Sequence, residues 1–150
     1  MVKIGLYLTV CLLGACVLTA CQKYRVTLNE RPLYQPPALI DKIALADTAL
    51  ETCVEQIITD QRITELKNLQ RLRCSNAGIQ SIAGLEQLTW LQELDVSSND
   101  LRQIDSLFKL EHLRRLRLVE NANLNCAQMR QLKAENQKLT IEAPAHCENT

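Results

Sequence analysis

Three stretches of this chain echo one another. They are Leu69-Gln70-Arg71-Leu72-Arg73-Cys74-Ser75-Asn76-Ala77-Gly78-Ile79, then Leu91-Gln92-Glu93-Leu94-Asp95-Val96-Ser97-Ser98-Asn99-Asp100-Leu101, then Leu113-Arg114-Arg115-Leu116-Arg117-Leu118-Val119-Glu120-Asn121, with Leu124 beyond the last. Their leading leucines fall 22 residues apart. In the middle of each copy, apolar and polar residues alternate, the pattern of a strand with one buried face. A fixed period of this length means that each copy is one structural unit. Such a unit cannot bury its apolar face alone and must stack on its neighbour. The intervening segments keep the same period, since Ile82, Leu85 and Leu88 recur as Ile104, Leu107 and Leu110. All six must point inward, because the strand leucines alone cannot fill a layer. Aromatic residues make up 3% of the chain, so the core must be built from Leu and Ile.

Written as L-x-x-L-x-L-x-x-N-x-L, the repeat resembles the leucine-rich repeat, in the bacterial internalin-like form with a 22-residue period. The resemblance implies a fold of the α/β solenoid class. It would be a short array with parallel β-strands on its concave face, an N-terminal capping helix and a disulfide-stapled C-terminal cap. Scaffolds of this kind bind other molecules and rarely carry out chemistry. In the family, the asparagine position bonds the turn backbone in a ladder. Asn99 and Asn121 occupy it here, while Ala77 interrupts it in the first copy and Gly78 follows.

The flanks read as caps. Leu50, Cys53, Val54, Ile57 and Ile58 lie at helical spacing within 47–62, with Asp47 as N-cap and Glu51 favouring the helix dipole. This helix resembles the internalin N-terminal cap, which a solenoid needs to cover its first repeat. Repeats occupy 63–124, and 125–150 forms the C-terminal cap. There Asn125 starts a second helical pattern carrying Cys126, Met129 and Leu132. Leu139-Thr140-Ile141 reads as a degenerate fourth strand, 23 residues after Leu116 and Leu118, and Pro144 ends it.

Residues 1–20 form a secretory signal, with Lys3 followed by an apolar run from Ile4 to Leu18. Its end, Leu18-Thr19-Ala20-Cys21, resembles the bacterial lipobox. That resemblance implies cleavage before Cys21 and acylation of Cys21, which anchors the mature chain to the membrane. Gln22 rather than Asp after the cysteine implies the outer membrane. Residues 21–46 then hold the lipidated cysteine and a tether containing Pro32, Pro36 and Pro37. About 20 extended residues at roughly 3 Å each span some 60 Å. Within the tether, the stretch Arg31-Pro32-Leu33-Tyr34-Gln35-Pro36-Pro37-Ala38 resembles the Pro-Leu-Tyr-x-Pro segment of small lipoproteins of the lipopolysaccharide-transport translocon.

Seven cysteines sort by position. Cys11 and Cys16 leave with the signal, Cys21 carries lipid, and Cys53, Cys74, Cys126 and Cys147 remain for disulfides in an oxidising compartment. Four cysteines allow three pairings, of which position favours Cys53–Cys74 and Cys126–Cys147. The first bond closes about 20 residues and is worth roughly 3 kcal/mol in the chain-entropy model. One histidine, His146, with two cysteines makes no zinc spacing, so neither a metal nor another cofactor is expected.

Lys plus Arg and Asp plus Glu both number 17, so nothing in the charge balance points to nucleic acid. There is no Ser-His-Asp set with a supporting motif and no glycine-rich phosphate loop, and His112 lies on a convex segment as an exposed side chain. No catalytic residue is assigned and the chain is read as not an enzyme. The outward strand positions form columns: Arg71, Glu93 and Arg115; then Arg73, Asp95 and Arg117; then Ser75, Ser97 and Val119. Each acid sits between two arginines, which reads either as a self-neutralising ion-pair lattice that fixes register or as a binding surface, since four arginines against two acids leave two charges uncompensated, enough to hold an acidic segment, a carboxylate or a phosphate. Trp90 and Phe108 are placed on the convex side, as packing residues or, alternatively, as a partner contact. The function read from these features is protein or glycan binding by a monomeric, lipid-anchored envelope module. Two rivals are an envelope assembly factor docking through its tether and an inhibitor of a periplasmic enzyme.

Overall fold

The computed structural model describes residues 43–148, together with the backbone of two short strands nearer the N-terminus. The signal peptide, Cys21 and most of the tether lie outside the described residues. The chain divides into two units, Met1–Pro37 and Ala38–Thr150. In the first, β1 (Thr27–Leu28) pairs antiparallel with β2 (Arg31–Pro32), so the stretch read as a tether contains a brief strand pairing.

The second unit is a short solenoid. Helix α1 (Thr48–Asp60) leads into β3 (Arg71–Arg73), β4 (Glu93–Asp95) and β5 (Arg115–Arg117); α2 (Cys126–Glu135), β6 (Thr140–Glu142) and α3 (Ala145–Glu148) complete it. Three 3-10 turns, Leu66–Asn68, Leu85–Gln87 and Asp105–Lys109, precede β3, β4 and β5 respectively on the convex side. The four long-range strands make one parallel sheet in the order β3-β4-β5-β6. Arg71 pairs with Glu93 and Glu93 with Arg115, so one repeat of sequence is one step across the sheet.

The alternation within each strand decides which face is buried. Leu72, Leu94 and Leu116 are at most 1% exposed, while the arginines beside Leu72 and Leu116 are exposed and the acids beside Leu94 half-buried. Ile82, Leu85, Leu88, Ile104, Leu107 and Leu110 all close the layer from the convex side. No aromatic residue stands among the fully buried described side chains, and Phe108 only packs against the core margin.

The fourth strand departs from its expected register. Ile141, not Leu139, pairs with Leu116. The cause is visible at Leu139, which is fully buried. Its amide donates to Asn136 O as the amide of Leu113 donates to Leu110 O. Leu139 therefore takes the part of a repeat's leading leucine, and only one residue rather than two separates it from the next inward position. The slip brings Thr140 and Glu142 onto the concave face.

The tether ends earlier than expected. Ile43 is a core residue. Ala46 N donates to Ala83 O, and the Gln87 amide donates to Ala44 O at 2.8 Å and Gly84 O at 2.9 Å. Gly84 has φ +100 and lies directly under Ala44, where a Cβ would collide with the Ala44 carbonyl. Glycine is needed there both for its backbone angle and for its lack of a side chain.

Asp47 joins the cap to the first repeat. One carboxylate oxygen accepts from Ala49 N (2.9 Å) and Leu50 N (3.1 Å), capping α1; the other accepts from Gln80 N (2.9 Å) and Ser81 N (3.1 Å). Burial acts to raise its pKa, but the four amide donors outweigh burial and hold the carboxyl below its ordinary 3.8.

Asparagines lock the turns after the strands. Asn121 has no exposed surface. Its amide donates to Val96 O (2.9 Å) and Leu118 O (3.0 Å), and its oxygen accepts from Leu101 N (3.1 Å). Asn99 repeats the arrangement one step back, donating to Cys74 O and Val96 O and accepting from Ala77 N and Ile79 N. The first copy, with Ala77, thus receives its ladder bonds from the second. Asn76, Ser98 and Glu120, one per turn, all have positive φ (54°, 55° and 59°), a conformation the asparagine bonds hold in place.

Two stability predictions follow from these bonds. Asn121→Ala strands the buried Leu101 amide and the Leu118 carbonyl, while Val96 O keeps its bond from Asn99, and should cost about 3 kcal/mol in urea denaturation; a loss below about 1 kcal/mol would show that the ladder is dispensable. Because the Asp47 carboxyl is depressed in the fold, its contribution is present above its ordinary 3.8 and is lost as pH falls below that through the lower folded-state pKa. Acid unfolding followed by circular dichroism should therefore be steeper for the wild type than for Asp47→Asn, which has no charge to lose.

Candidate functional site

The concave face is four strands wide, and two columns of outward side chains cross all four strands. One runs Arg71, Glu93, Arg115, Thr140; the other runs Arg73, Asp95, Arg117, Glu142. In-register parallel strands place successive members of a column about 4.8 Å apart, so each acid of β4 lies between an arginine of β3 and one of β5 and must choose. The acids of β4 choose β5. Arg115 Nη1 lies 3.0 Å from Glu93 Oε1 and Arg117 Nη1 lies 3.3 Å from Asp95 Oδ2. Arg117 also engages β6, with Nε 2.8 Å from Glu142 Oε2.

Glu142 corrects the charge count. It adds a third acid to the face, so four arginines meet three acids rather than two. Two arginines are nevertheless left over, because Arg117 takes two of the acids. Among the described residues, Arg71 and Arg73 have no acidic partner. Both are exposed, and they lie two residues apart on the same face of β3. Beside them is a depression of about 200 Å³ lined by Arg73, Glu93, Asp95, Arg115, Arg117 and Glu142. Glu142 escaped sequence reasoning because its column position depends on the shortened spacing after Leu139.

The third column contributes less. Ser97 N donates to Asp95 Oδ1 at 3.1 Å, which steadies that carboxylate. Its hydroxyl is buried and lacks a hydrogen-bond partner among the described residues.

The caps hold both ends of the face. Cys53 of α1 is bonded to Cys74, the residue after β3, with Cα atoms 5.9 Å apart. Cys126 of α2 is bonded to Cys147 of α3, with Cα atoms 5.3 Å apart. The first bond ties the strand bearing the unpaired arginines to the N-terminal cap. The second ties down the helix that follows β6, and hence Glu142.

Trp90 differs from its expected packing role. It is 50% exposed and stacks on His112, with ring centroids 4.9 Å apart and planes inclined by 5°. The two rings stand just before the leading leucines of successive repeats. Their separation is therefore the spacing of the strands, and the common 22-residue offset was a readable signal for the stack. Among the described residues no helix is long and apolar enough to cross a membrane.

A family model of leucine-rich repeats, two copies, matches residues 67–109. These are leucine-rich repeats. Among curated proteins no relative matches the chain. Among solved structures, it is similar to the functional domain of InlJ from Listeria monocytogenes, at 30% identity and a TM-score of 0.42, over 53% of this chain and 16% of that one. It is also similar to an internalin C2 from Listeria monocytogenes str. 4b F2365, at 15% identity and a TM-score of 0.46, over 67% of this chain and 56% of that one. The chain thus spans less than two thirds of the length of either. Leucine-rich-repeat solenoids are typically binding scaffolds without enzymatic activity, and their curvature creates a concave surface for a partner.

Proposed function

We propose that this chain is a lipid-anchored cell-envelope protein whose concave leucine-rich-repeat face binds an acidic segment of a partner protein. The observation that carries the reading is the pair Arg71 and Arg73, exposed side by side on β3 with no acid opposite them among the described residues. Guanidinium forks grip carboxylates in two-point geometry. The paired arginines of β5 are already committed to Glu93, Asp95 and Glu142, so they define the shape of the face while β3 supplies its free charge.

Anchorage follows from the lipobox-like Leu18-Thr19-Ala20-Cys21, and Gln22 favours the outer membrane. The two halves of the proposal work together. A face this small gives modest affinity by itself, and confinement to one membrane raises the effective concentration of a partner held there.

Crosslinking in cells followed by pull-down tests the face. Arg71→Glu/Arg73→Glu should lose a specific envelope band that the wild type retains, and moderate salt should weaken capture of that band. Identical bands in both would reject the concave face as the binding surface. Anchorage has its own readout: metabolic labelling with an alkyne fatty acid should mark the wild type and not Cys21→Ser, and a labelled Cys21→Ser chain would place the lipid elsewhere.

A further inference from the structure

The Cys126–Cys147 disulfide has an imidazole beside it. His146 Nε2 lies 3.4 Å from Cys147 Sγ and 3.2 Å from Leu124 O. One ligand atom from each of Cys126, His146 and Cys147 lies within 4.8 Å of the other two. Cys147 is buried, Cys126 half-buried and His146 exposed, so the group opens to solvent on one side. The bonded cysteines are 21 residues apart, the pairing their positions favoured, and come together because β6 returns the chain to the start of α2.

We propose that reduction converts this clasp into a three-ligand site for a thiophilic divalent cation of the Zn²⁺ type, held by the sulfurs of Cys126 and Cys147 and by His146 Nε2. Two thiolates and an imidazole suit such an ion, and a water completes a tetrahedron. The chemistry balances with a thiol reductant. Two reductant thiols are oxidised to their disulfide while the Cys126–Cys147 bond breaks, and the two protons pass to the cysteine sulfurs. Metal binding then displaces those two protons as both thiols become thiolates.

The geometry needs little rearrangement. Tetrahedral coordination at about 2.3 Å per Zn–S bond places the sulfurs about 3.8 Å apart. With Cα atoms 5.3 Å apart, side-chain rotation reaches that separation without moving the backbone. His146 has to give up its contact with the Leu124 carbonyl and turn Nε2 to the ion. The consequence is a clasp with two chemical forms. Disulfide and metal close the same loop and hold α2 to α3, so the cap that keeps Glu142 on the concave face survives reduction when the ion is present.

The test uses the full chain, reduced with a phosphine and titrated with Co²⁺ and then Zn²⁺. A thiolate-to-cobalt charge-transfer band should saturate at one equivalent and vanish on addition of Zn²⁺, and the oxidised chain should not show it. His146→Ala should weaken binding by about 10-fold or more. No saturable band in the reduced chain overturns the proposal. So does a band of equal affinity in His146→Ala, which would put the metal on other thiols. If reduction unfolds the cap, Zn²⁺ should restore the far-ultraviolet circular dichroism of the wild type and not of Cys126→Ser; failure to restore the wild type is equally fatal.

Discussion

Everything on the concave face depends on successive turns of the solenoid stacking in strict register, and the ladder amides of half-buried Asn99 and fully buried Asn121 enforce that register. Asn121 sits among leucines with no access to water, so each of its polar atoms needs a partner within the protein. It finds carbonyls of its own turn and of the turn before, together with an amide of the turn before. Sliding one turn against the next would break those bonds inside an apolar layer, where nothing replaces them. The leucines supply the driving force for stacking but tolerate small slips; the amides do not.

Register in turn decides the electrostatics. Side chains 22 residues apart become neighbours in space, so a row of arginines, a row of acids and a second row of arginines face one another across β3, β4 and β5. Exposed pairs of this kind add about 0–1 kcal/mol each, too little to hold the fold together. Their arrangement matters more than their strength. Since both acids of β4 turn towards β5, the neutral composition of the chain conceals a local excess of positive charge on β3. Net charge is a property of the whole molecule, while recognition depends on which arginines remain unpaired.

The ends of the array are managed by a different device. A solenoid exposes its core wherever the repeats stop, and here side chains that reach across to backbone groups attach the caps. Asp47 spans from the first turn of α1 to the turn at Gln80 and Ser81, and Gln87 holds the segment at Ala44. Disulfides near each end add covalent closure. The C-terminal one stands next to His146, which gives the clasp a chemistry that the N-terminal one lacks among the described residues.

Much of this architecture is legible in the amino-acid sequence. Period and alternation identify the inward leucines, because a strand's faces and a solenoid's repeat are local properties that recur identically in each copy. Asp47, Asn99 and Asn121 could be assigned to their positions for the same reason, as could the arginine and acid columns of β3 to β5. Where the repeat decays, that reading loses its footing. The register of β6 turned on whether Leu139 acts as a leading leucine or a central one, and only packing of α2 against the last full turn settles that. With the register came Glu142, and with Glu142 the corrected charge count. The choice of Glu93 and Asp95 between arginines on either side, the docking of residues 43–46 beneath Gln87 and over Gly84, and the approach of His146 to Cys147 are likewise decisions of the tertiary structure. Each is a contact between residues far apart in the chain, and the energy that selects it exists only once the intervening turns are stacked.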